Sequence, residues 1–440
     1  IDVQALDGED PTRMKHREEG NRASNLCYQI REDGETRWLF ISHVNKPVNE
    51  HITWMEQWNI RIKGEYRATV YDTLTGEQAP METSCQNGNT LAGYVTSQHG
   101  SLLMKLTPQK AENCSKPKEA GSRKTYLQRP EKVQLLAEPK EYRLLEENCC
   151  MLDQAEYAWD NGGWKDTEEL LRIDNLFRAE LGYPQRMEAL AQPWTEPKDK
   201  DSGHVLTLRF AVESEIFMPE IQLAMEHPEQ AEITWNGKKI PYADAGFYVD
   251  ESIRKCVLPE LKKGKNELLV AMPFGRKTNV EWMYLLGNFG TRTAGRKAVL
   301  TSLPEKLFYG DYTRQNLSFY GGSLEYTTEL FTEEGELILE VSHYRGALIR
   351  VYLDGEDKGA LFLAPYRKSL GHVKQGRHEM KLCLYGNRMN SFGAVHNADA
   401  AETWYGPNLW RTQGSKWSYE NQLSEMGILT SPVWWLQKEK

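Results

Sequence analysis

Hydrolysis of a glycosidic bond asks for two carboxylates facing each other across a sugar, about 5–10 Å apart. The stretches "YADAGFYVDES" and "NVEWMYLLGNFG" mix acids with aromatic side chains, as sugar sites do, and they supply Asp244, Asp250, Glu251 and Glu281. Asp250 and Glu281 are the candidate carboxylates for a chain that hydrolyses glycosides by itself. With 63 Asp and Glu in the chain, clustering by chance is expected, and Glu281 reads also as a partner for Arg276 or Arg292 or as the cap of a strand end. Sugar binding asks for less: an exposed aromatic face for C–H packing and polar side chains for hydroxyls. Trp404, Tyr405, Asn408, Trp410 and Arg411 fall in a loop rich in Gly and Pro, preceded by His396 and Asn397. These seven are the sugar-binding candidates. The competing role for the two loop tryptophans is to plug the open end of a β-domain or to pack on a neighbouring module. Trp417 and Tyr419 alternate in "KWSYENQL" and are expected in the core, and of the adjacent Trp434 and Trp435 one should face in and one out.

Other chemistries find little purchase. The histidines His43, His99, His343, His372 and His396 are far apart and mostly within strand patterns. No H-E-x-x-H, G-x-S-x-G, Walker or G-x-G-x-x-G motif occurs. Asp354, Glu356 and Asp357 are close enough to suggest a structural calcium, but "DGEDKG" is first of all a hairpin turn, so neither metal nor cofactor is assigned. The net charge of -9, from 54 Lys and Arg against 63 Asp and Glu, argues against nucleic acid as a partner, because phosphate binding needs a basic face. No apolar run is long enough to cross a bilayer, and no membrane partner is expected. The seven cysteines are odd in number and scattered, which points to free buried thiols and a reducing, cytoplasmic, bacterial setting. The polar N-terminus has no leader-like segment, and a leader already removed would leave a secreted setting open. The chain starts at Ile1, which reads as a piece of a longer protein.

The elements that must position these residues are mostly strands. Short alternating runs, each ended by Gly, Asn, Asp or Pro, form the pattern of sandwiches and jelly rolls. A first block, residues 1–108, holds "NLCYQIREDGETRWLFISH" as two strands around Asp33-Gly34, two more strands ending in the turn "YDTLTGE", and "TLAGYVTSQHGSLLMKLTP" as a closing hairpin. Residues 109–132 are polar and carry Pro and Gly, as linkers do. The clearest helix is "DTEELLRIDNLFRAELGYP", near 167–181. Its expected cap is Asp166 or Thr167, its expected apolar face is Leu170, Leu171, Ile173, Leu176, Phe177 and Leu181, and Gly182-Tyr183-Pro184 should stop it. An internal repeat follows. "AEITWNGKKIP" is echoed by "IRVYLDGEDKGA", and "VLPELKKGKNELLVAMPFG" by "SLGHVKQGRHEMKLCLYGN". Two copies of one β-module, 133–302 with the helical insertion and 303–440, account for it.

These repeated segments resemble the galactose-binding-like jelly rolls of large glycoside hydrolases, often described as family 2 sugar-binding domains. "ATVYDTLTGE" is similar to the small β-sandwich that follows the catalytic barrel in such enzymes, and the tail "FYGGSLEY … WYGPNLWRTQGSKWSYENQLSEMGILTSPV" resembles the C-terminal end of the α-L-rhamnosidase-like group, glycoside hydrolase family 106. The resemblance implies an all-β chain, an N-terminal β-sandwich followed by two galactose-binding-like jelly-roll modules. It implies an accessory, non-catalytic role in a bacterial glycoside hydrolase, with a glycan ligand and an upstream catalytic domain of the same protein as partners. Family members carry their catalytic acids on a barrel that nothing here spells out, so no catalytic residue is carried over. The alternatives are a self-contained hydrolase and a purely structural scaffold for the barrel.

Overall fold

The computed structural model describes residues 2–7 (backbone only), 25–45, 49, 53–73, 75–110, 129–160, 162–186, 203–399, 401 and 407–437. Its described residues are all-β: antiparallel sheets with two α-helices, Leu170–Glu180 (α1) and Met389–Phe392 (α2).

The first block is a sandwich of two sheets, one ordered Asp2–Asp7, Met55–Lys63, Asn89–Ser97, Thr83–Gln86, the other Leu26–Asp33, Thr36–His43, Ser101–Pro108, Tyr66–Tyr71, Gln78–Met81. Alternation decides which side chains meet between them. Trp58, Ile60 and Ile62 from the first sheet and Leu39, Ile41, Met104 and Leu106 from the second form the core. The turn at Gly34 and the turn at Asp72–Gly76 form as expected, with Thr75 N donating to the Asp72 carboxylate at 3.2 Å and Gly76 at φ +75°. The expected closing hairpin does not: Asn89–Ser97 and Ser101–Pro108 pair into opposite sheets, so the Gly100 turn is a crossover. Cys85 is disulfide-bonded, contrary to the expectation that all cysteines are free, while Cys27, Cys149, Cys150, Cys256 and Cys383 are free thiols. No helix among the described residues is long and apolar enough to cross a membrane.

The internal repeat is a repeat of topology. In the middle module one sheet runs Gln154–Trp159, His204–Ser214, Gly264–Phe274, Glu232–Trp235, Lys238–Ile240. In the last module the equivalent sheet runs Glu141–Leu144, Leu324–Thr332, Gly376–Tyr385, Leu348–Leu353, Glu356–Leu361. The facing sheets match too, Asn148–Leu152, Met283–Gly287, Ile221–Glu226, Asp250–Leu258 against Gln134–Leu135, Val433–Gln437, Gly335–Glu340, Arg367–Val373. The repeated turn residues explain why the signature is what it is. Asn236 and Asp354 adopt φ +49° and +50°, the left-handed backbone that a tight hairpin turn needs and that Asn and Asp tolerate best after Gly. Each then reaches sideways to the neighbouring strand. Asn236 Oδ1 accepts from Glu267 N at 3.0 Å and its Nδ2 donates to Asn266 at 2.9 Å. Asp354 accepts from Glu379 N at 2.9 Å and meets His378 Nδ1 at 2.6 Å. One side chain thereby caps its own turn and sets the register of the next strand.

Pairing differs from the sequence reading at a second place. Gln134–Leu135 and Glu141–Leu144, which the sequence places at the start of the middle module, pair with Val433–Gln437 and Leu324–Thr332 of the last. The middle module is thus threaded between the second and third strands of the last one, and the chain enters and leaves it at the junction. Trp434 and Trp435 are both buried, at 4% and 5% exposure, because both faces of their strand are covered.

Candidate functional site

The junction between the two modules is built around α1. Glu169, not Asp166 or Thr167, is its cap: residues Lys165–Glu169 remain in a strand, and the Glu169 carboxylate accepts from Leu171 N and Arg172 N, both at 3.0 Å. Leu170, Leu171, Ile173 and Phe177 face the core as expected, whereas Leu176 is exposed and Asp174 and Arg178 are buried. Gly182, at φ +67°, follows the Leu181 C-cap. Arg178 donates to Asp174 at 2.9 Å and to the carbonyls of Arg276 and Thr278 at 2.9 and 2.7 Å, so this buried charge is paired and each of its three nitrogens is hydrogen-bonded. Sequence reasoning had no signal for it beyond the i, i+4 spacing of an acid and an arginine.

Glu169 is fully buried and takes a third hydrogen bond from Trp282 Nε1 at 2.7 Å. Burial pushes its carboxyl up to about 7 against these donors and the His396 charge. His396 is buried too. Its Nε2 meets Asp153 at 2.6 Å and its Nδ1 meets Ser418 O at 2.7 Å. Burial alone would depress the imidazolium, and the contact with Asp153 leaves it raised. This pair ties the last module's long final segment to the middle module, as do Tyr419 to Glu168 at 2.9 Å and Tyr284 to Ser391 O at 2.9 Å. His396 is therefore a structural link, and its ring has no face for a sugar.

Beside this link lies a groove of about 1270 Å³, walled by both modules. Arg292 lies on the strand Gly290–Ala294, Asp311 and Asn316 on the connection between modules, and Asn397, Asp399 and Asn421 on the final segment. Amides, carboxylates and a guanidinium thus line one open trough together with Val395 and Leu409, and some of them are already engaged: Asp311 accepts from Thr313 N and Met426 N, Asp399 pairs with Lys416 and Arg292 with Glu215.

Of the sequence candidates, Asn397 lines this groove. Trp404, Tyr405 and the side chain of Asn408 lie outside the described residues. Trp410 is half-buried against the middle module's core. Arg411 is half-buried with an Nε that has no hydrogen-bond partner, and its charge acts on Glu281 and Asp174. The structure thus brings Arg411 and Glu281 together, though the sequence assigned them to different readings. Of the partners expected for Glu281, Arg292 pairs instead with Glu215 at 2.7 Å, and Arg411 and Arg186 are cations that act on Glu281. Asp250 is exposed and spends its carboxylate on Ser252 in its own turn, at 2.9 and 2.7 Å. Trp417 and Tyr419, expected in the core, are half-buried outside any strand; the Arg172 guanidinium lies 4.6 Å from the Trp417 ring and that of Arg296 4.1 Å from the Tyr419 ring. The carboxylates proposed for calcium are occupied by cations, Asp354 by His378, Asp357 by Arg350 and Glu356 by Lys358.

No family model and no curated protein matches the chain. Among solved structures it is similar to a rhamnosidase from Novosphingobium sp. PP1Y, at 11% identity and TM-score 0.35, covering 98% of this chain and 24% of that one. It is similar to the Streptomyces avermitilis alpha-L-rhamnosidase complexed with L-rhamnose, at 10% identity and TM-score 0.26, covering 93% and 39%. It is also similar to the GH2 beta-galacturonidase from Eisenbergiella tayi bound to galacturonate, at 9% identity and TM-score 0.22, covering 55% and 36%. The chain spans between about a quarter and two-fifths of the length of these proteins, and at these scores the likenesses carry no argument about chemistry.

Proposed function

We propose that this chain is the accessory, carbohydrate-binding part of a glycoside hydrolase, and that the groove between its middle and last modules holds a glycan. The observation that carries the reading is the groove itself. It is open rather than enclosed, and its lining mixes amides, carboxylates and a guanidinium with apolar side chains, which is the mixture that sugar hydroxyls and C–H faces call for. The repeated β-modules support the accessory role, and the parent enzyme's action on α-linked rhamnose or a related deoxysugar rests on the resemblance of the tail. A glycan array followed by calorimetry tests it. Oligosaccharides ending in L-rhamnose should bind weakly, and Glu425→Trp, an exposed groove residue, should raise Kd at least about tenfold, a loss of about 1.4 kcal/mol. Release of nitrophenol from aryl rhamnosides by this chain would refute the accessory role, and an array without a hit would refute the groove.

A further inference from the structure

A second, smaller cavity lies at the other end of the middle module's sheet. Strand Ile221–Glu226 ends at Glu226, and its neighbour Met283–Gly287 begins just after Glu281. The register pairs Ala224 with Tyr284, so two residues further on Glu226 stands level with Trp282 and beside Glu281. Asn279 ties the two acids together, donating to Glu226 at 3.1 Å and hydrogen-bonding Glu281, while Arg186 donates to its other end. The cavity is about 300 Å³, with Met225, Met272 and Met283 among its walls.

The geometry points to a binding site for one neutral sugar ring, a terminal pyranose, with Glu226, Asn279 and Glu281 taking its hydroxyls and the methionines its C–H face. The size is at the lower end of ligand pockets and suits one ring rather than a chain. Paired carboxylates and an amide accept from vicinal hydroxyls, which a polyol offers and an apolar ligand does not. Thioethers adapt to an irregular apolar surface. Arg186 and Arg411 act on Glu281, and Lys277 stands in the lining with Glu226, so acids and cations are mixed around the cavity and no single sign of charge marks it for an ionic ligand. Burial, with the Glu226 charge, lifts Glu281 to about 7, so near neutral pH it can donate as well as accept. This site is independent of the groove.

The test uses the whole chain and ligand-observed NMR with methyl glycosides of L-rhamnose, D-galactose and D-glucose, and with methyl glucosaminide as a cationic probe. At least one neutral glycoside should bind with a Kd below about 10 mM. Gln230→Trp, which places a bulky ring at the exposed rim without touching the core, should weaken it at least about tenfold, as should Glu226→Ala. Glu425→Trp in the groove should leave it unchanged. The inference is overturned if no neutral glycoside binds, if only the glucosaminide binds, or if Glu425→Trp abolishes binding while Gln230→Trp does not.

Discussion

Glu169 caps a helix, is buried, and has its carboxyl lifted from 4.5 to about 7. Ionising it inside the protein therefore costs about 3 kcal/mol relative to the unfolded chain. The sign follows from proton uptake. Between about pH 4.5 and 7 the native state binds a proton that the unfolded state has released, so stability falls as pH rises through that window and levels off above it. His396 adds in the same direction, since its raised imidazolium contributes stability that is lost as pH rises through its folded pKa. Replacing Glu169 by Gln removes the carboxyl's share. Its single oxygen can serve Leu171 N and Trp282 Nε1, which both bond Oε1, but its amide then faces Arg172 N, for a loss of about 1–2 kcal/mol. E169Q should be less stable than the parent by about that amount near pH 5 and equal or more stable near pH 8.5. Urea unfolding of both proteins across this range reads the difference. A constant difference at every pH would refute the reasoning, because it would mean that Glu169 titrates as it does in the unfolded chain.

Breaking the cross-module link with His396→Ala leaves Asp153 buried beside an unfilled space and should destabilise the protein by about 3 kcal/mol, read by urea unfolding, with the loss largest at acid pH, where the imidazolium is charged. Arg178→Ala strands Asp174 without its partner and should lose about 3–5 kcal/mol, while the double variant D174N/R178M should recover much of it, measured in the same way. Gly427 has φ +127°, and a Cβ there would lie 2.4 Å from Gly310 O, so Gly427→Ala should lower the melting temperature measurably, whereas an alanine at exposed Lys239 should not.

Much of the fold was legible in the sequence because its cues are local. The Asn236-Gly237 and Asp354-Gly355 turns announce two hairpins in a repeat, since a two-residue turn needs positive φ and few residue types tolerate it. The helix was legible from its apolar spacing, but its cap was not: Asp166 and Thr167 are better capping types than Glu169, and only the strand pairing of Gln154 with Glu169 keeps them out of the helix. The crossover between Asn89–Ser97 and Ser101–Pro108 was misread as a hairpin because both strands alternate equally well, and alternation does not say which sheet a strand joins.

The candidate site was less legible for the same reason carried further. Glu281 and Arg411 stand out by type, yet they lie on different modules, and no local pattern says that they meet. His396 looked like part of a sugar loop until its partner Asp153, far away in sequence, accounted for it. The chain alone determined the period, the turns and hence the kind of module, since these depend on residues within one or two turns of each other. The threading of one module through the other, the buried carboxyl of Glu169, and the groove and cavity arise from side chains that become neighbours only when sheets pack, and only the tertiary structure decided them.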